Sequence, residues 1–371
     1  MKRIFTSLNY KRNILLLFLF ASALFFFSAC NAKRPALGQE DEIFVFADST
    51  EYYNLETSLV TVFSKVIYTP QREALFNLTR KNLNELERYK NRKNIILIAP
   101  LDSKSDVSVF INKILDPKVI QLVKEDSATV INKKDLWAKN QLVMVLTGPD
   151  MKTLNKNILE RGDDLLHFFQ KESDERLSAS LYNSRYEQEK IEAKILKEYN
   201  WMMYVQTDYG IAKDDSTEKF VWLRRSPGTD LERWIFVHWV DNASPALLNR
   251  DTISAMRNRL TKKFMRSMDD SSYVEISDDY KTTREVNFKN RYALFTQGLW
   301  RMSDGSMGGP FINYTFYDQP SKRLYMLDGS IYAPRYYKKK LIQQVDVLLQ
   351  SFLAGREVNP DKREDLMDEL E

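Results

Sequence analysis

Histidine and cysteine, which carry most nucleophilic and metal chemistry, are nearly missing from this sequence. Its 371 residues include one cysteine, Cys30, and two histidines, His167 and His238. A Ser-His-Asp or Cys-His site needs an imidazole beside its nucleophile. Neither histidine has a nucleophile motif near it, and G-x-S-x-G does not occur. Both read as ordinary surface or core histidines. Zinc lacks a ligand set for the same reason, so no metal and no cofactor is expected.

Carboxylates remain. Asp48, Asp102 and Asp150 each follow an apolar run and precede helical spacing. Ligands of open α/β sheets gather at that end of the strands, but these residue types also cap helices, accepting the free N–H groups of the first turn. Capping is the simpler reading. A second set, Asp304, Asp318 and Asp328, lies near Gly298, Gly305, Gly308, Gly309 and Gly329, among many aromatics. Two such acids about 5–10 Å apart in a cleft could hydrolyse an envelope polymer. Ser303–Pro310 reads as a tight strand-to-strand loop with positive φ at its glycines. Strands flank it, whereas a phosphate cradle would open a helix. The competing reading is an aromatic-walled groove for glycan or peptide, with Trp300, Asp304, Gly308 and Gly309 as its residues. No catalytic residue is assigned. Arg335, Lys338, Lys339 and Lys340 form a basic run at a helix start, read as a solvated face or as a contact with anionic lipid or cell-wall polymer.

The N-terminus has the clearest pattern. Lys2, Arg3, Lys11 and Arg12 precede an apolar run from Ile14 to Phe27, then Ser28-Ala29-Cys30. A basic start, an apolar stretch and a small-residue cleavage site define a secretory signal over residues 1–29. The run falls short of the roughly 20 residues of a spanning helix. Cys30 then becomes the acylated first residue. As the sole cysteine it excludes a disulfide, and once alkylated it excludes a thiol enzyme. The net charge of +4 is the charge of those four leader cations; without them the chain is neutral. Binding to nucleic acid is therefore not expected.

Residues 30–39 read as a lipidated tether. Three apolar runs follow, Ile43–Ala47, Ile95–Ala99 and Leu142–Thr147, each succeeded by helical spacing. They predict an α/β half with a small mixed sheet over 40–196. Over 197–355, strand-like segments at Met203–Thr207, Phe220–Arg224, Trp234–Val240, Tyr273–Ser277, Tyr292–Arg301, Phe311–Tyr317 and Leu324–Tyr332 predict an antiparallel sheet. Helices through Ile253–Phe264 and Leu341–Phe352 flank it. The fold class is α+β overall. Residues 356–371 read as a mobile acidic tail.

Gly298-Leu299-Trp300-Arg301-Met302 and Met307-Gly308-Gly309-Pro310-Phe311, with Phe220–Arg224 and Asp135–Ala138, resemble an uncharacterised domain-of-unknown-function family of Bacteroidota lipoproteins. The order of C-terminal elements also resembles the Mog1/PsbP-like sandwich. Phe27-Ser28-Ala29-Cys30 resembles a bacterial lipobox, with Phe27 where the strict pattern has Leu. The family has no activity to transfer. It implies a palmitate-bearing lipoprotein of the outer membrane and nothing about mechanism. Asn31-Ala32-Lys33-Arg34 carries no acidic run after the cysteine, which favours the periplasmic side. With no catalytic constellation, the first reading is a non-enzymatic binding or assembly factor with an envelope protein, peptide or glycan as partner. The resemblance also implies O-glycosylation where Asp-Ser/Thr precedes an apolar residue or Thr. Ser216 and Ser127 are the sites singled out; Ser49 and Thr252 also match, but follow Asp48 and Asp251, which read as caps.

Overall fold

The computed structural model describes residues 33–226 and 228–371. The expected signal peptide and Cys30 lie outside the described residues. Strand β1 (Glu42–Phe46) leads into helix α1 (Ser49–Phe63), the hairpin β2 (Val66–Tyr68) and β3 (Arg72–Ala74), and β4 (Asn77–Lys81). Then come α2 (Leu86–Tyr89), β5 (Asn94–Ile98), α3 (Asp106–Ile114), α4 (Pro117–Lys124), β6 (Val130–Lys134), β7 (Leu142–Leu146) and α5 (Met151–Glu160). The described residues fall into two compact units, one ending at 55 and resuming over 78–157, the other formed by 56–77 and 158–371.

The first unit holds a mixed sheet in the order β4-β1-β5-β7-β6. Strands β1, β5 and β7 run parallel and β6 runs antiparallel to β7. The three parallel strands are the continuous apolar runs, and Ile43, Ile95–Ile98 and Val143 are fully buried. Strands β4 and β6 escape a search for such runs. They are edge strands, where one side meets water and polar residues such as Arg80, Lys133 and Lys134 are favoured. The chain is docked from its first described residues. The Lys139 amide donates to the Arg34 carbonyl at 2.9 Å, and Ala36 donates to Lys139 at 2.8 Å. Of the expected tether over 30–39, residues from Arg34 onward are thus tied to the fold.

Besides 56–77, with β2 and β3, the second unit holds α6 (Gly162–Leu181) and α7 (Glu189–Tyr199). It continues through β8 (Trp201–Met202), β9 (Gly210–Asp215), β10 (Phe220–Arg225), β11 (Glu232–Val240), α8 (Arg250–Phe264), β12 (Val274–Phe288), β13 (Arg291–Met302), β14 (Gly308–Asp318) and β15 (Arg323–Tyr332). Helix α9 (Lys339–Gln350), β16 (Leu353–Ala354) and α10 (Pro360–Asp368) close the chain. Seven strands form an antiparallel sheet in the order β12-β13-β14-β15-β11-β10-β9. Alternate residues feed opposite faces. On β15, Leu327 and Ile331 join Leu341, Val345 and Leu348 of α9, while Met326 joins Ile253 and Leu260 of α8. Helix α9 lies so close that a Cβ at Gly329 would come within 2.1 Å of Val345 Cγ1.

The segment Met203–Thr207 is not a strand; β8 ends at Met202, and Met203 and Val205 are buried in irregular backbone. Strand β12 does not stop at Ser277 but runs to Phe288, as a polar edge strand whose register shifts between Ile276 and Lys281. Residues 356–371 differ from the expected mobile tail. Leu366 of α10 is fully buried against Ala193, Leu196 and Met202, which anchors the helix. The basic run is no solvated face at Lys338, which is 2% exposed. Glu73 of β3 accepts the Lys338 amide at 2.7 Å and the Lys339 amide at 3.1 Å, so a carboxylate from a distant hairpin caps α9. A negative group there also suits the helix dipole.

Candidate functional site

The acids nominated for chemistry have other duties. Asp48 Oδ1 accepts the Thr50 amide at 2.9 Å, and Asp150 accepts the Thr153 amide at 2.9 Å and its hydroxyl at 2.9 Å. Both are caps, and the Thr153 amide holds the Asp150 carboxyl below its usual range. Asp102 is not a cap: it is exposed, and Ser105 caps α3 by accepting from the Ser108 amide. Likewise Asn249, not Asp251, caps α8. Asp304 is an exposed turn residue whose Oδ1 accepts the Ser306 amide and hydroxyl. Asp318 is 1% exposed between Arg291 and Arg356; burial works to raise its carboxyl, yet Arg356 and Ser321 hold it down to about 2.

Asp328 lies deepest. Both it and Arg257 of α8 are 1% exposed, joined by Arg257 Nε to Asp328 Oδ2 at 2.7 Å and Nη2 to Oδ1 at 3.2 Å. Asn313 Nδ2 donates to Asp328 at 3.0 Å, Ser330 donates at 3.2 Å, and the guanidinium stacks 3.8 Å from the Phe311 ring centre. This is a structural network in the sheet core, with Arg257 Nη1 alone buried without a hydrogen-bond partner among the described residues.

The glycine-rich segment offers no aromatic groove at Trp300. That side chain is 1% exposed, packs 4.9 Å from Trp234, and donates Nε1–H to the Ile331 carbonyl at 3.2 Å. Gly305 alone in the loop has positive φ, at 76°. Gly308 and Gly309 are needed for another reason: they begin β14, and a Cβ on Gly309 would lie 2.0 Å from the Ile331 carbonyl oxygen. Ser216 and Ser127 are exposed, Ser216 in the turn between β9 and β10. His167 is exposed on α6.

His238 is different. It sits on β11 opposite Phe220 and is 4% exposed. It lines a cavity of about 540 Å³ together with Thr217, Lys219, Thr252, Met256 and Arg259. Its Nδ1 lies 3.0 Å from the Lys219 carbonyl. A carbonyl only accepts, so Nδ1 carries the proton and donates. That leaves a lone pair on Nε2, which is buried and has no hydrogen-bond partner among the described residues. Burial pushes the imidazole down to about 4, against the contribution of the Lys219 carbonyl, so the ring is neutral at pH 7. At the rim, Arg259 and Lys263 donate to Glu218 at 2.7 and 2.6 Å and hold its carboxyl down to about 2. Lys219 pairs with Asp241 at 3.3 Å. The rim charges are largely paired, and the imidazole of His238 beneath them is neutral, its Nε2 sealed from solvent. Among the described residues no hydroxyl is hydrogen-bonded to Nε2.

Residues 36–182 match the family described as Domain of unknown function (DUF8532), and residues 187–351 match Domain of unknown function (DUF4837). The chain joins two uncharacterised domains. No curated protein matches it. Among solved structures, the Ran-binding protein Mog1p of Saccharomyces cerevisiae is 7% identical, with a TM-score of 0.29 over 42% of this chain and 90% of that one. A point mutant of protein Mog1 aligns at 7% identity and a TM-score of 0.28, over the same shares. The DUF4837 match contains the His238 cavity, the Arg257–Asp328 network and the glycine-rich segment. The cavity is not legible in the sequence because it depends on the register that sets Phe220 opposite His238 and brings the Lys219 carbonyl to the imidazole. The one available signal was an imidazole in the middle of the apolar strand Trp234–Val240.

Proposed function

We propose that the protein is a cell-envelope lipoprotein, acylated at Cys30 and facing the periplasm from the outer membrane, that acts as a non-enzymatic binding factor with the His238 cavity as its ligand seat. The unpartnered Nε2 supports the choice of seat. A buried acceptor without a donor is costly, on the order of 1–3 kcal/mol, and a ligand N–H or O–H removes that penalty. A peptide or glycan supplies such donors. The hydrolase alternative loses its residues, because Asp304, Asp318 and Asp328 serve a turn and two ion-pair networks.

The test has two arms. Intact-mass spectrometry and membrane fractionation of the native protein read acylation at Cys30; membrane retention of a correctly cleaved Cys30→Ser protein defeats the lipoprotein reading. The same spectrum reads glycan at Ser216, with Ser216→Ala as its control. For the seat, the His238 ring nitrogens are followed by NMR during titration with soluble peptidoglycan fragments. A shift confined to Nε2 is expected, with weakened binding of the same fragments by His238→Phe, and unmoved ring signals overturn the assignment of the seat.

A further inference from the structure

The point at which the chain docks fixes which part of the first unit lies nearest the proposed lipid. Cys30 precedes Arg34 by four residues, and an extended chain spans at most about 3.3–3.6 Å per residue. The acyl group therefore attaches within roughly 14 Å of the Arg34 carbonyl, which is bound to the Lys139 amide. That place is the N-terminal edge of the parallel sheet. The Pro35–Lys139 and Leu37–Arg92 bridges run along it, and Lys134 sits there opposite Leu142, the first residue of β7. Gln141 is fully buried and stiffens the edge, its Nε2 donating to the carbonyls of Lys90 and Arg92 at 2.6 and 2.7 Å.

This edge is rich in cations without an acid partner. Lys33, Arg34, Arg88, Lys133 and Lys139 are exposed, and none has a carboxylate partner among the described residues. Of the acids at this end, Glu40 pairs with Lys93 at 2.6 Å and Glu87 with Lys90 at 2.6 Å; Asp135 accepts the Gln141 amide at 3.2 Å, and Asp41 and Glu42 stand at the start of β1, so cations outnumber acids there. By contrast, Asp48, Asp102 and Asp150 lie at the other end of the parallel strands. The unit thus has a basic end, and the lipid attaches at that end. A bilayer reached through a tether of roughly 14 Å lies close to the Debye length of about 8–10 Å, so these charges feel its surface.

We infer that the N-terminal edge of the first unit, marked by Arg34, Lys133 and Lys139, is a docking surface for anionic bilayer headgroups. It rests on the lipoprotein reading for its geometry and sets the orientation of the first unit at the membrane. The His238 cavity, in the other unit, takes no part in it.

The test uses the mature chain, residues 30–371, carrying Cys30→Ser so that no acyl group contributes. Cosedimentation at low ionic strength compares vesicles of phosphatidylglycerol and phosphatidylethanolamine with vesicles of phosphatidylcholine alone. Binding to the first and not the second is expected, falling at least tenfold when Arg34, Lys133 and Lys139 are all changed to Glu, as the per-residue strength of juxtamembrane Lys and Arg implies. Thermal melts of that variant establish that it is folded; should it melt early, the triple change to Gln replaces it. Absent binding, equal binding to both vesicles, or binding insensitive to the substitutions overturns the inference. Acylation of Cys30 is read separately by mass, so an acylated protein with an inert edge sinks the surface alone, and an unacylated Cys30 sinks the anchor.

Discussion

The buried pair Arg257–Asp328 makes a quantitative prediction about removing one charge or both. Each partner is 1% exposed, so neither regains water when the other is lost. Asp328→Asn leaves a guanidinium facing a neutral amide, with Ser330 Oγ at 3.1 Å as its other contact, and is expected to destabilise by about 3–5 kcal/mol. Arg257→Met strands the carboxylate with Asn313 and Ser330 as donors, and is expected to cost about 3 kcal/mol. The double variant removes both charges. It keeps a polar partner for Asn313 and Ser330 and places a thioether over Phe311, so its cost is expected to fall to about 1–2 kcal/mol. The singles would therefore overshoot the double by more than about 3 kcal/mol, far beyond the roughly 0.5 kcal/mol scatter of independent sites. Chemical denaturation followed by tryptophan fluorescence suits the measurement, since every tryptophan except Trp137 belongs to the second unit. Additive losses would refute the argument that the network is held by mutual compensation of two dehydrated charges.

Trp300→Ala should lower stability by about 3–5 kcal/mol, and Gly309→Ala by about 1–3 kcal/mol through its clash with the Ile331 carbonyl; two unchanged melts would contradict the packing described. His238 has a folded pKa depressed to about 4, from an ordinary 6.5. Its contribution is complete above pH 6.5 and is lost as pH falls towards 4, about 3 kcal/mol in all. Unfolding free energies of the wild type and His238→Gln should diverge over that window, and parallel profiles would refute the buried neutral ring.

What the sequence disclosed follows from burial. Strands β1, β5 and β7 are covered on both faces, so their composition announces them. Strands β4 and β6, and the far half of β12, are edges, and an edge strand written Asn-Leu-Thr-Arg-Lys resembles a loop. The hairpin β2–β3 is too short for any period to register. At the sites, Asp48 and Asp150 cap helices as their positions suggest. Asp102 does not, because the turn after β5 is longer and Ser105 takes the role. The strand that carries Trp300 was legible, and its burial decides against the groove; the need for Gly309 was not legible, because it arises from a carbonyl on β15 rather than from a turn. The lone pair of His238 follows from pairing between strands, which no local pattern encodes.

The cap that Glu73 places on α9 has a consequence for how the chain is made. Residue 73 and the amide it holds are separated by 265 positions. A ribosome adding about 5–20 residues per second takes roughly 13–50 seconds to cover that distance. The hairpin is therefore among the first parts of the second unit to emerge, and it waits for nearly the last. Until α9 arrives, a carboxylate destined to be 9% exposed stays in water. A message truncated before residue 338 would yield a hairpin with nothing to cap. The boundary between the two matched families, after residue 182, is equally misleading as a place to cut. Residues 56–77 lie before it in the chain yet belong to the unit that is synthesised after it.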